Sequence, residues 1–206
     1  MNTRFIHLNH REKEPEALFE AGRILAEGGV ILFPTETVYG LGGDGNNPAV
    51  VKRIYRIKKR SGNKPLVRLI ADREKIRSLP AEEGQRRLLE EFWPGPLTVI
   101  LRTPEGIHQG YRLPGHDFLR RLIEESGVAL VATSANLSGE PAIIDGAAAR
   151  RLFSGKVDLI IDGGEVAGAA STVLDLTASP ERILREGPVT REEIEACLGH
   201  RVATGR

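Results

Sequence analysis

Stretches with a helical period alternate with short unbroken apolar runs along this chain, an order that few architectures accommodate. Ala17, Leu18, Ala21, Ile24 and Leu25 fall on one helical stripe that stops at Gly28-Gly29, and the next four residues, 30–33, are all apolar. That pattern predicts a helix followed by a buried strand. Helices are also expected at 48–57, where Val50, Val51, Ile54 and Ile57 share a face, and at 82–92, 117–125, 146–153 and 190–198. The last of these opens with a Thr190 and Glu193 capping box. Further strands are expected at 66–70, 97–101, 128–133, 159–161, 172–176 and 183–185. Helices interleaved with apolar strands predict a single α/β domain over 1–206 around a largely buried sheet. Glycine and proline gather where strands end, at Pro34, 40–43, 94–96, 138–139 and 163–164, and ligands in open α/β sheets bind at such ends.

Composition closes off other classes. A chain of 206 residues, 40% of them hydrophobic, buries a real core and is neither disordered nor collagen-like. No apolar run approaches the roughly 18 residues of a membrane span. The first ten residues lack the basic-then-apolar pattern of a secretory leader, so a cytoplasmic location and no membrane partner are expected. The single Cys197 cannot close an internal disulfide, and the five histidines form no HxH or HExxH pair. Any enzyme chemistry is therefore expected to work without a thiol relay or a zinc site.

The net charge of +1 conceals an asymmetry. Residues 45–71 hold eight bases (Lys52, Arg53, Arg56, Lys58, Lys59, Arg60, Lys64 and Arg68) and no acid, leaving −7 over the rest. A local cationic segment on an otherwise acidic chain suggests an anionic ligand. On a helical wheel Lys52, Arg53 and Arg56 lie opposite the apolar stripe, as a solvated face would. Lys58 falls near the edge of the apolar face, where solvation alone would not place a charge. Ser61-Gly62-Asn63 breaks the helix, so Lys58, Arg60 and Lys64 would cluster on a helix exit and loop as a clamp for a triphosphate.

Two polar loops follow apolar strands. Residues 33–42 offer two threonines, a carboxylate and a phenol within five residues (Thr35 to Tyr39), and 133–139 offer Ser134, Asn136 and Ser138. Each is open to a plain reading as a turn whose side chains satisfy their own backbone. Neither is a Walker A loop, and Ser134 lacks the Gly-x-Ser-x-Gly setting of a hydrolase, so it reads as a hydrogen-bonding group rather than a nucleophile.

Taken together and in order, these segments resemble the YrdC/TsaC family of threonylcarbamoyl-AMP synthases. The resemblance rests on Pro34-Thr35-Glu36-Thr37-Val38-Tyr39-Gly40-Leu41-Gly42, then Lys58-x-Arg60 with Lys64-Pro65-Leu66, and Trp93-Pro94-Gly95-Pro96-Leu97-Thr98. It continues through Arg112-Leu113-Pro114, Ser134-Ala135-Asn136-x-Ser138-Gly139, Ser171-Thr172-Val173 and Arg185-x-Gly187. It implies one YrdC-like domain, with its motifs within about 15–190 and a twisted mixed sheet bearing a concave cationic cleft. It also implies synthesis of threonylcarbamoyl-AMP and pyrophosphate from L-threonine, bicarbonate and ATP, with Mg2+ accompanying the nucleotide and tRNA-modification proteins as partners. By the same resemblance Lys58, Arg60, Ser134 and Asn136 carry the catalytic work. Thr35, Ser171 and Arg112 would hold threonine; Arg60, Lys64, Thr98, Ser134, Asn136 and Arg185 would hold ATP.

Some positions depart from the family pattern. Glu36 stands where an aspartate is frequent, Leu69 where some members have a histidine, and Ala142 where some have a serine. The chain is also expected to match the short form of the family, without an extra C-terminal domain. Two other functions compete. The basic stretch could track RNA, but it includes only Tyr55 as a stacking aromatic. A carbamoyl-transfer role, as in hydrogenase maturation proteins, would call for partner domains.

Overall fold

A computed structural model describes residues 2–8, 11–59, 65–77 and 81–205. The chain runs β1 (Arg4–His7), α1 (Glu14–Ala26), β2 (Ile31–Phe33), β3 (Gly40–Asp44), α2 (Pro48–Lys58), β4 (Val67–Leu69), α3 (Glu83–Phe92), β5 (Leu97–Arg102) and β6 (His108–Arg112). It continues with α4 (Asp117–Ser126), β7 (Leu130–Ser134), α5 (Gly146–Phe153), β8 (Leu159–Asp162), β9 (Thr172–Asp175), β10 (Arg182–Arg185), α6 (Arg191–Leu198) and β11 (Ala203–Thr204). All six expected helices form, and the Thr190 and Glu193 capping box closes in both directions. Among the described residues no helix is long and apolar enough to cross a membrane.

The strands make one mixed sheet in the order β1-β8-β2-β3-β7-β4-β6-β5-β9-β10-β11. The seven expected strands are all in it. Four others, β1, β3, β6 and β11, were not expected. β3 in particular corrects the reading of 40–43 as a loop: Gly40, Leu41 and Gly42 pair with Phe33, Leu32 and Ile31, and on the other side with Ser134, Thr133 and Ala132.

Helices cover both faces over one half of the sheet. Ile31 and Phe33 pack with α1 and α4 on one side, while Leu32 points the other way, into the cluster formed with Val50 and Ile54 of α2 and Ala149 and Phe153 of α5. This is why the strand reads as a continuous apolar run. Over the other half the cover is one-sided. Leu97, Val99 and Leu101 of β5 are buried with Leu88, Leu89 and Ile194 of α3 and α6. The alternate residues, Thr98 and Ile100, face the opposite way and remain uncovered by a helix.

Candidate active site

That uncovered face is a cleft of about 510 Å3. Its floor is built by strand register: Ile100 is opposite Gly110, Thr98 beside Val173, and Val67 opposite Ala132. The cleft thus lies over the open face of the sheet, where helix cover stops, and its polar side chains stand at strand ends as expected: Arg112, Ser134 and Arg185 close β6, β7 and β10, Thr35 follows β2 and Ser171 precedes β9. Thr35, Thr98, Arg112, Ser134, Ser171 and Arg185, all singled out in the sequence, line it together.

The 35–38 turn is internally wired. The Arg112 Nη2 donates to Thr37 Oγ1 at 2.9 Å, Thr37 Oγ1 lies 2.8 Å from Thr35 Oγ1, and Thr35 donates to Val38 O at 2.7 Å. The Thr35 hydroxyl proton is therefore engaged within the turn. Tyr39 anchors the same segment from behind, donating to Gly164 O at 2.8 Å and accepting from Gly163 N at 3.0 Å. Burial pushes its phenol pKa well above the ordinary value, so it stays a neutral donor.

Two guanidiniums define the polar end. Arg112 is 8% exposed, with Nε on Gly95 O at 3.3 Å and Nη2 on Glu36 Oε1 at 2.7 Å. Arg185 donates from Nε to Ser171 O at 2.9 Å and from Nη2 to Ser171 Oγ at 3.1 Å; Ser171 Oγ is 2.9 Å from Thr98 Oγ1. Burial, and then the charge of Arg112, pull the Arg185 pKa below its ordinary value. Two like charges sharing one partly dehydrated cleft are relieved by an anion between them. His116 stands near Glu36; burial pulls its pKa below the usual imidazole value against the opposing pull of Glu36 and Asp117.

Lys58 is only 2% exposed, so its place at the edge of the apolar face is that of a buried charge. Its ammonium reaches Ser134 O, Asn136 O at 3.1 Å and Asn136 Oδ1. Ser134 in turn donates to Asn136 Oδ1 at 2.9 Å, and Asn136 Nδ2 donates to Glu140 O at 2.6 Å. Lys58 and Asn136 do not themselves line the cleft; they brace the loop that presents Ser134 to it. α2 ends at Lys58, with Lys59 in the left-handed conformation, φ 51°. Arg60 and Lys64, the other members of the expected clamp, lie outside the described residues, as does Ser61-Gly62-Asn63.

Glu36, Thr37 and the Gly95 carbonyl are site groups that the sequence reading assigned no role. All three stand inside motifs already noted, but their partner Arg112 is 76, 75 and 17 residues away. The basic outer face of α2 is separate from the cleft. Arg53, Arg56 and Lys59 line a shallow groove of about 370 Å3 with Lys156. Arg53 is no mere surface charge there, since it donates to Asp158 Oδ2 at 2.6 Å and to Lys156 O at 3.2 Å. Among the described residues no group of three or more His, Cys, Asp or Glu is placed to hold a metal ion.

Comparison with known proteins gives a consistent picture. The family model Sua5/YciO/YrdC, described as telomere recombination, matches residues 23–187. The threonylcarbamoyl-AMP synthase of Pyrococcus abyssi is 39% identical over 209 residues, covering 96% of this chain and 61% of that protein. The synthase of Bacillus subtilis is 39% identical over 193 residues, covering 87% of this chain and 56% of that protein. A crystal structure of Pyrococcus abyssi Sua5 complexed with L-threonine superposes with a TM-score of 0.90 at 38% identity, covering 98% of this chain and 63% of that one. The chain thus spans about three-fifths of the length of these relatives.

Proposed function

The chain belongs to the Sua5/YciO/YrdC family, and from that premise we propose that it is an L-threonylcarbamoyladenylate synthase, converting L-threonine, bicarbonate and ATP to threonylcarbamoyl-AMP and pyrophosphate. The observation that carries the reading is the convergence of Thr35, Thr98, Arg112, Ser134, Ser171 and Arg185 on one cleft with two guanidiniums at its polar end. The relatives' names, and the L-threonine in the Pyrococcus complex, support it.

The reaction asks little covalent chemistry of the protein. The carboxylate of N-carboxythreonine attacks the α-phosphate, a new P–O bond forms, and the bond to the β-phosphate breaks to release pyrophosphate. The nucleophile is already an anion, so catalysis reduces to holding two anions in line and stabilising the charge at the α-phosphate. Arg112 faces the carboxylate. Arg185, fixed by Ser171, faces the nucleotide. Ser134 presents its loop to the phosphates, with Lys58 and Asn136 as its brace. Magnesium would enter with ATP, held by phosphates and water, as is common for this ion. Asp175 is the sole carboxylate among the described cleft-lining residues, and its Oδ1 already accepts from Thr177 N at 2.9 Å and Thr177 Oγ1 at 2.6 Å. The product would pass to tRNA-modification proteins in the cytoplasm.

The test is incubation with MgATP, L-threonine and bicarbonate while following pyrophosphate. Release that requires both threonine and bicarbonate is expected; release independent of either would sink the reading.

A further inference from the structure

Glu36 has no part in that reaction and does not itself line the cleft, yet its carboxylate is bound to Arg112, which does. Glu36 Oε1 accepts from Arg112 Nη2 at 2.7 Å. The same Arg112 is held at Nη2 by Thr37 Oγ1 and at Nε by Gly95 O. No described group accepts from its remaining nitrogen, Nη1, and that nitrogen is not among the buried unpaired atoms, although the residue as a whole is 8% exposed and lines the cleft. One edge of the guanidinium is clamped and the other is left to the cleft. A planar fork fixed along one edge can offer the opposite edge only in one direction, and direction is what recognition of a planar carboxylate requires.

We propose that Glu36 is a positioning residue: by clamping Nη2 it aims Nη1 of Arg112 at the carboxylate of the amino-acid substrate, and so governs threonine affinity while leaving ATP affinity nearly untouched. The proposal rests on the synthase reading for the identity of that substrate. Alanine at 36 frees the guanidinium to swing. Glutamine keeps the length and an acceptor oxygen but loses the charge that shortens and strengthens the contact. Aspartate keeps the charge on an arm one methylene shorter.

The experiment measures L-threonine and ATP binding separately by calorimetry, with pyrophosphate release alongside, for wild type, Glu36→Ala, Glu36→Gln, Glu36→Asp, Arg112→Ala and the Glu36→Ala/Arg112→Ala double variant. Glu36→Ala is expected to weaken L-threonine about tenfold, the scale of one charge-assisted hydrogen bond, with ATP changed less than about twofold. Glu36→Gln should lie between Glu36→Ala and wild type, and Glu36→Asp should recover part of the loss. The double variant should bind threonine no worse than Arg112→Ala alone, because a residue acting through Arg112 has nothing to act on once it is gone. Equal losses for both ligands, or additive losses in the double variant, would overturn the proposal. Should Glu36→Ala not fold, the glutamine and aspartate variants decide by the same split. Wild type that binds L-threonine without releasing pyrophosphate would overturn the synthase reading and leave the clamp to be judged on binding; wild type that binds no L-threonine would overturn both.

Discussion

Lys58 shows how a single residue joins stability to the site. Its ammonium is buried and meets three acceptors on the Ser134–Asn136 loop, so removing it strands polar groups away from water. Lys58→Ala should cost about 2–4 kcal/mol, or roughly 2–4 °C of thermal midpoint for each kcal/mol in a chain of this size. Turnover should fall with it as the Ser134 loop loosens. Lys52→Ala, on the exposed face of the same helix, should stay within about 0.5 kcal/mol. A melt in which the two variants coincide would refute the brace. The wheel alone marks Lys58 as out of place on a solvated face, and that much is legible in the sequence. Its partners lie 76 and 78 residues away, a separation that local periodicity does not encode. For the same reason the family resemblance marks Arg112 as a residue that would hold threonine without revealing that one of its partners is the chain's own Glu36.

Legibility at the level of elements follows the burial of each strand. β2 and β8 are covered on both faces and announce themselves as apolar runs, whereas β3, of sequence GLGGD, carries no such mark. It is glycine-rich because of close approach. A Cβ on Gly42 would stand 2.6 Å from Val131 O in the neighbouring strand, and one on Gly40 2.5 Å from the Phe33 ring. β6, of sequence HQGYR, is missed because one of its faces is the floor of the cleft and need not be apolar. These two strands predict opposite outcomes for the same substitution. Gly42→Ala drives a methyl into fixed backbone and should destabilise by about 3 kcal/mol. At Gly110 the nearest atom to a Cβ is Val67 Cγ2 at 3.5 Å, an ordinary contact. Gly110→Ala should therefore melt within about 1 kcal/mol of wild type while narrowing the cleft floor, raising the KM of a substrate that lies on it. Calorimetry and kinetics on the pair separate the two effects, and a Gly110→Ala variant with unchanged KM would mean that no substrate lies over β6.

Across the whole molecule, the cleft draws Thr35 and Ser134 from the half of the sheet covered on both faces, and Thr98, Arg112, Ser171 and Arg185 from the half covered on one. β4 bridges them, pairing with β7 on one side and β6 on the other. The second half has its own clasp at the far edge. The carboxylate of Glu181, buried just ahead of β10, accepts from Gln85 Nε2 of α3 at 3.0 Å and lies 2.8 Å from His200 Nε2 in the turn between α6 and β11. Burial pushes the Glu181 carboxyl up, but the hydrogen bonds from His200 and Gln85 outweigh it and hold it below the usual carboxylate range. The hydrogen bond to Glu181 raises the His200 imidazole against the weaker opposing effect of desolvation. A carboxylate held low contributes stability above its unfolded pKa, roughly 4.3, and loses it as pH falls through the lowered value. An imidazole held high contributes fully below roughly 6.5 and loses its share as pH rises through the raised value. The clasp is therefore strongest between about pH 4.3 and 6.5. Since β10 begins directly after Glu181 and ends in Arg185, it also steadies one wall of the cleft. The thermal midpoint of wild type should exceed that of His200→Ala at pH 5.5, and the gap should narrow at pH 8.5. A gap that widened with rising pH would mean that the two groups do not titrate as a pair, and that the edge is held by the apolar contacts of α3 and α6 alone.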